Sequence, residues 1–257
     1  MSMKNLFDIS GKVAVVTGGS RGIGAMIARG FVENGVRTYI TARKEDELKA
    51  TAEELSTLGE CIALPSDLAS QEGVSAFAAA IRERESKLHI LVNNAGATWG
   101  ADIEDFPESG WDKVMDLNVK SLFFLTRELL PALQAAGTAE DPARVINIGS
   151  VNGFTHSHMN NYSYTASKAA VHHLTRHLGA DLARRNINVN GIAPGFFPSK
   201  MTAHWLDQAD EMAGEYPRGR IGSPEDAAGT AIYLCARASA WVAGHTIVLD
   251  GGVVAAA

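Results

Sequence analysis

The spacing of apolar residues along this chain switches repeatedly between two periods. Residues 12–17 (KVAVVT) form an unbroken β-branched run, the pattern of a strand buried on both faces. Met26, Ile27 and Phe31 then recur at helical spacing until Asn34-Gly35 stops the pattern. The alternation continues with strands expected at 36–41, 61–64, 89–92, 145–148, 187–192 and near Thr246. Helices are expected at 45–58, 71–85, 111–136, 162–185 and from Pro224, with a kink at Pro131. Seven short strands alternating with helices call for an α/β fold: one parallel, doubly wound sheet with helices on both faces, spanning 1–257 as a single domain. Such sheets bind ligands beyond the carboxyl ends of their strands, where the glycine-rich and polar segments 17–24, 93–96 and 149–153 fall. Segment 196–220 mixes Trp205, Leu206, Met212 and Tyr216 with acids, and is expected to form a flap over the site or to dock short helices on the core.

Composition narrows the function classes. With 46% hydrophobic and 20% charged residues and no apolar run near the roughly 18 residues of a membrane span, no membrane insertion is expected. Residues 1–12 carry Asp8 and lack an apolar signal region, so the cytoplasm is the expected compartment. Cys61 and Cys235 sit in apolar contexts that suit buried free thiols rather than a disulfide framework. A net charge of -6 disfavours nucleic acid as a partner, while leaving room for a local basic pocket around one phosphate.

That pocket has candidates. Thr17-Gly18-Gly19-Ser20-Arg21-Gly22-Ile23-Gly24 follows a strand and opens a helix, where glycines let the backbone approach a pyrophosphate at the helix N-terminus. Gly24 is followed by Ala25-Met26, so the lysine and hydroxyl residue of a triphosphate loop are missing. The second strand ends in Thr41-Ala42-Arg43, with no acid for the ribose hydroxyl of NAD; Arg21 and Arg43 instead offer planar cations to a 2'-phosphate, which favours NADP(H). Further on, Asn161-Tyr162-Ser163-Tyr164-Thr165-Ala166-Ser167-Lys168 sets a phenol and an ammonium at i,i+4 on one helix. A free phenol titrates near 10, and each unit of depression needs about 1.4 kcal/mol of differential stabilisation, which a lysine charge helps supply. The competing phenol, Tyr162, has Ala166 at i+4.

Thr17-Gly18, Gly22, Gly24, Asn93-Asn94-Ala95-Gly96, Ser150, Tyr164, Lys168 and Pro194-Gly195 occur in an order that resembles the short-chain dehydrogenase/reductase family over about 12–252. Within that family, residues 93–100 (NNAGATWG) and 145–150 (VINIGS) are most similar to the 3-oxoacyl-thioester (ketoacyl) reductases, including the rhamnolipid-associated type. The resemblance implies a Rossmann fold, a homotetramer, and NADPH-dependent reduction of a small-molecule carbonyl substrate to the alcohol. It implies Tyr164 as general acid, Ser150 as hydrogen-bond partner of the carbonyl oxygen, Lys168 as the group that lowers the phenol pKa and holds the ribose, and Asn118 as anchor of a relay water. It also implies cofactor contacts from Gly18, Ser20, Arg21, Gly22, Ile23, Gly24, Arg43, Asp67, Leu68, Asn94, Ala95, Gly96, Tyr164, Lys168, Pro194, Gly195, Phe197 and Ser199. Ser150 and Tyr164 stand one residue further apart than is usual in the ketoacyl reductases, and Ser199 replaces a frequent threonine.

Other readings remain: an alcohol, steroid or sugar dehydrogenase of the same family, or a non-catalytic NADP-binding regulator, against which the intact Asn118, Ser150, Tyr164 and Lys168 argue. In the 162–185 helix, Ala170, Leu174, Leu178 and Leu182 are expected to face the sheet, leaving Ala169, His172, His173 and Arg176 to a neighbouring subunit. His173 and His177 lack the company of a metal site, and His156 and His158 read as loop surface. Trp99, Phe154, Met159, Phe196, Phe197 and Trp205 are candidates for an apolar pocket.

Overall fold

In the computed structural model of the protein, residues 3–157, 159–198, 213–214 and 216–256 are described. The β-branched runs pair as seven strands: β1 (Val13–Thr17), β2 (Arg37–Thr41), β3 (Cys61–Ala63), β4 (Ile90–Asn93), β5 (Ala143–Ile148), β6 (Ile187–Pro194) and β7 (Thr246–Leu249). They lie in the order β3-β2-β1-β4-β5-β6-β7, and every neighbouring pair is parallel. The crossovers are the helices α1 (Gly22–Glu33), α2 (Glu45–Ser56), α3 (Gln71–Arg84), α4 (Glu108–Met115), α5 (Ser121–Ala136), α6 (Tyr162–Leu182) and α7 (Pro224–Cys235). Because all residues of β1, β4, β5 and β6 are buried, both faces of the sheet need a cover. On one face Ile27, Phe31, Leu48 and Leu234 pack against the sheet; on the other, Phe77, Ile81, Leu125 and Leu129 do so. The winding direction reverses between β1 and β4, which opens a crevice at their carboxyl ends. No helix among the described residues is long and apolar enough to cross a membrane.

Two expectations need correction. The 111–136 helix is broken by a wider, π-type turn at Asp116–Lys120, whereas Pro131 lies inside α5. The turn carries Asn118, and π turns of this kind frequently sit at functional sites. On α6 the buried face runs through Ser163, Ser167, Val171, His172, Thr175, Gly179 and Leu182, while Ala170, Leu174 and Leu178 are half-buried at its border. His172 therefore points inward. Of the expected flap, 199–212 and 215 lie outside the described residues, and with them Ser199, Trp205, Leu206 and Met212; so does His158.

Candidate active site

The glycine loop leaves β1 with Gly18 at φ +64°, a left-handed conformation that suits glycine. Gly24 answers a tighter demand, because a Cβ there would lie 2.3 Å from the Gly18 carbonyl oxygen and 2.4 Å from Asn94 Nδ2. Asn94 ties the two halves of the crevice together: its Nδ2 donates to the Thr17 and Gly18 carbonyls at 2.8 and 3.2 Å. In return, Thr17 Oγ1 accepts from the Asn94 and Ala95 amides at 2.9 Å each. The N-terminus of α1 has neither a side-chain cap nor an acid in its first turn. By contrast α2 opens with Glu45, Asp46 and Glu47, α3 is capped by Ser70, and α7 has a Ser223–Asp226 capping box. The unsatisfied amides of α1 sit at the positive end of its dipole, where a phosphate is the natural partner.

A cavity of about 560 Å³ starts at this loop and ends at Ser150 and Tyr164. Of the expected site residues, Gly18, Ser20, Arg21, Gly22, Ile23, Arg43, Asp67, Leu68, Asn94, Ala95, Gly96, Ser150, Tyr164, Lys168, Pro194, Gly195 and Phe197 line it. Gly24 is buried beside the loop, and Asn118 stands outside the lining. The sequence reading missed Thr41, Ala42, Lys44, Glu47, Ser66, Thr98, Leu117, Ile148 and Gly149, most of which adjoin residues it found. Thr41 has a buried hydroxyl with no partner at the cavity wall. These features fit the expected dinucleotide: a long cleft, an uncapped helix end for phosphate, and unspent polar groups for ribose.

The two arginines are not equivalent. Arg21 Nη1 is held by Glu47 at 2.8 and 3.1 Å, while none of the described residues forms an ion pair with exposed Arg43. A carboxylate thus reaches Arg21 from the first turn of α2, a route invisible to a search at the end of β2. Surface pairs contribute about 0–1 kcal/mol, so Glu47 holds Arg21 only weakly.

At the other end of the cavity Ser150 and Tyr164 line the same wall. Burial pushes the phenol pKa up, and the nearby Ser150 hydroxyl only partly offsets this. The expected depression by Lys168 is absent in the chain alone. Lys168 Nζ lies 5.5 Å from the Tyr164 ring centroid but donates to the Ile148 carbonyl at 2.8 Å, and burial pushes its own pKa down to about 8. Tyr162 is excluded from this cluster, with its exposed ring packed on Phe106 at 5.7 Å.

Asn118 makes three hydrogen bonds: Oδ1 accepts from the Ala97 amide at 2.8 Å, and Nδ2 donates to the Ala97 carbonyl at 3.0 Å and to Ser167 Oγ at 2.9 Å. Ser167 Oγ donates in turn to the Tyr164 carbonyl at 2.7 Å. The π turn therefore clamps the loop after β4 to the helix that presents the phenol. A second polar chain missed from sequence, Asn93 to Asn147 to Thr175, pins β4, β5 and α6 in register at 3.0 and 2.9 Å. Of the candidate pocket aromatics, buried Phe197 lines the cavity, while Trp99 packs on Gly110 beneath Lys113 and Phe154 stacks on His172.

A doubly wound sheet with a phosphate-ready loop at its switch point and a serine, a phenol and an ammonium gathered at the far end of one cleft defines a nucleotide-dependent oxidoreductase. The chain matches the short chain dehydrogenase family over residues 12–210 and belongs to it. It is 48% identical over 253 residues to the rhamnolipids biosynthesis 3-oxoacyl-[acyl-carrier-protein] reductase of Pseudomonas aeruginosa, covering 97% of this chain and 99% of that one. It is 37% identical to the 2-dehydro-3-deoxy-D-gluconate 5-dehydrogenase of Dickeya dadantii, covering 98% of each chain. Among solved structures, the Pseudomonas aeruginosa RhlG/NADP active-site complex superposes with a TM-score of 0.93 at 48% identity, covering 98% of this chain and 99% of that chain.

Proposed function

We propose that this protein is an NADPH-dependent reductase of 3-oxoacyl thioesters or closely related ketones, built as one domain over 1–257. The observation that carries the reaction type is the Ser150–Tyr164 pair on one wall beside a buried ammonium at the end of a dinucleotide-sized cleft. The substrate class and the NADP(H) preference are supported by the 48% identical relatives, one a 3-oxoacyl-[acyl-carrier-protein] reductase and one a structure with NADP. A bound NADPH supplies the hydride. As the carbonyl carbon takes it up, the π pair moves onto oxygen, and Ser150 and Tyr164 aim two hydrogen bonds at the developing charge. Tyr164 then gives up its proton to form the alcohol. The raised phenol pKa keeps that proton in place until the carbonyl oxygen becomes basic. Lys168, 5.5 Å from the Tyr164 ring centroid, would hold a ribose hydroxyl of the bound cofactor and, together with the oxidised nicotinamide, stabilise the phenolate left behind. The side chain of Asn118 is spent on Ala97 and Ser167, so its part in resupplying the proton falls to its main chain.

The remaining cofactor contacts follow the cavity. The loop Gly18, Ser20, Gly22, Ile23 and Gly24 holds the pyrophosphate; Arg21 and Arg43 hold the 2'-phosphate. Asp67 and Leu68 hold adenine, Asn94, Ala95 and Gly96 the ribose, and Pro194, Gly195 and Phe197 the carboxamide side, to which the family resemblance adds Ser199, outside the described residues. The protein works in the cytoplasm as a homotetramer, for which exposed Trp111 and Phe123 on α4 and α5 supply an apolar surface; light scattering should then give four times the 27.3 kDa chain mass. The deciding experiment is a steady-state panel of acetoacetyl and longer 3-oxoacyl thioesters, free ketones, steroids and sugar acids with NADPH and NADH. The thioesters with NADPH should show the highest kcat/KM; preference for a sugar acid would replace this reading with a sugar-acid dehydrogenase.

A further inference from the structure

His172 lies two turns beyond Tyr164 on α6, about 12 Å along the helix axis, and is not among the residues that line the cavity. It is nonetheless built into the Ser150 turn. The imidazole is buried and stacks on Phe154 with ring centroids 4.2 Å apart. It occupies a slot that exists because Gly149 and Gly153 flank the turn: a Cβ on Gly149 would lie 2.2 Å from Nε2, and one on Gly153 would lie 2.6 Å from Cε1. Within the slot the Ser150 amide donates to His172 Nε2 at 3.4 Å, while Ser150 Oγ accepts from the Asn152 amide at 3.2 Å.

We infer that His172 is a positioning residue for Ser150: its Nε2 fixes the Ser150 main-chain amide, and with it the turn that aims the serine hydroxyl at the Tyr164 phenol. Two observations separate this from plain packing. Nδ1 is buried without a partner, so for stability alone a phenylalanine in the same stack would serve better than a histidine with half its polar capacity unsatisfied. And the ring stays neutral, because burial, Lys168 and Arg176 together push its pKa down to about 4, which leaves Nε2 an acceptor and the proton on Nδ1.

The inference rests on Ser150 acting on the carbonyl oxygen, so its test includes Ser150→Ala. His172→Phe keeps the stack and removes the acceptor; His172→Gln restores an acceptor near the Nε2 position. His172→Phe should lower kcat on the order of tenfold, as expected for a misaimed group, with ketone KM and NADPH affinity by fluorescence titration unchanged and the melting temperature equal or higher. His172→Gln should recover most of the loss, and His172→Phe should cost nothing further in the Ser150→Ala background. Full kcat in His172→Phe, a glutamine variant as poor as the phenylalanine, or an undiminished loss in the double variant would each overturn the inference. Full activity of Ser150→Ala alone would remove the reading of Ser150 together with it.

Discussion

The two ends of the same sheet handle buried charge in opposite ways. At the amino ends of the strands, Lys12 Nζ donates to Asp141 and to the Cys235 carbonyl at 2.9 Å. Beside it, fully buried Arg144 reaches Asp141 and the carbonyls of Pro142, Leu234 and Ala236. The last carbonyls of α7, which lack donors within the helix, are thereby neutralised by two cations. At the carboxyl ends, Lys168 is as deeply buried but has one hydrogen bond, to Ile148. All three buried side-chain atoms without a partner among the described residues, on Thr41, Ser163 and His172, belong to that half as well. A saturated charge stabilises a fold, and a partly saturated one remains available to a ligand. The contrast separates scaffold from site without reference to any relative.

The contrast fails first if Tyr164 turns out to be scaffold. Tyr164→Phe should reduce kcat by about a thousandfold, or about 4 kcal/mol of barrier, while leaving the melting temperature and NADPH affinity unchanged. Tyr162→Phe should retain most turnover; a larger loss there would reassign the acid. At the opposite end, Arg144→Met should act through stability alone. Removing it takes a donor from the Pro142 carbonyl, leaves the Leu234 and Ala236 carbonyls to Ser239 alone and weakens the hold on Asp141, a loss of about 3 kcal/mol. Calorimetry should show a melting point lower by roughly 6–12 °C, with kcat per folded molecule unchanged. A kcat loss without a melting shift would merge the two ends.

The fold was legible because parallel strands buried on both faces read as unbroken apolar runs, as at β1 and β5. Helix interruptions were not. A π turn inserts one residue without changing which residues are apolar, so 116–120 passed for regular helix. Pro131, the visible breaker, sits inside α5. The face of α6 was misjudged for a related reason. Its buried side is mostly small or polar, with Ser163, Ser167, Thr175 and Gly179 beside Val171 and Leu182, and at Gly179 a Cβ would meet the Gly244 backbone at 2.4 Å. Hydrophobic periodicity then picks the bordering Leu174 and Leu178 and turns His172 outward. The loop, Ser150, Tyr164 and Lys168 were legible because their spacing is set by backbone geometry. Glu47 was not, since it reaches Arg21 from another element.

The arginine corner carries the next smaller effect. Arg43→Asp replaces a cation with a repulsive charge and should weaken NADPH by roughly 10- to 100-fold, with little change for NADH. Glu47→Gln removes the competitor for Arg21 and should tighten NADPH by no more than about fivefold, the worth of an exposed pair. Equal changes for both cofactors in kcat/KM would show that neither residue meets the 2'-phosphate.

The smallest expected effect is a pH slope. His172 titrates near 4 in the folded protein against about 6.5 when unfolded, and burial beside Lys12 shifts His89 at the amino end in the same direction. Between those values the unfolded chain binds more protons than the folded one, so stability rises with pH across the window and is lost as pH falls through it. Between pH 7 and pH 6 the loss through His172 should be about 0.7 kcal/mol, steepening below pH 6 toward about 1.4 kcal/mol per pH unit. Urea midpoints measured across pH 4.5–7 should therefore fall less steeply in His172→Phe than in the wild type, and part of the slope should persist through His89. An unchanged slope would mean that His172 titrates in the fold as it does in the unfolded chain, so that burial would not keep its Nε2 an acceptor below about pH 6.5.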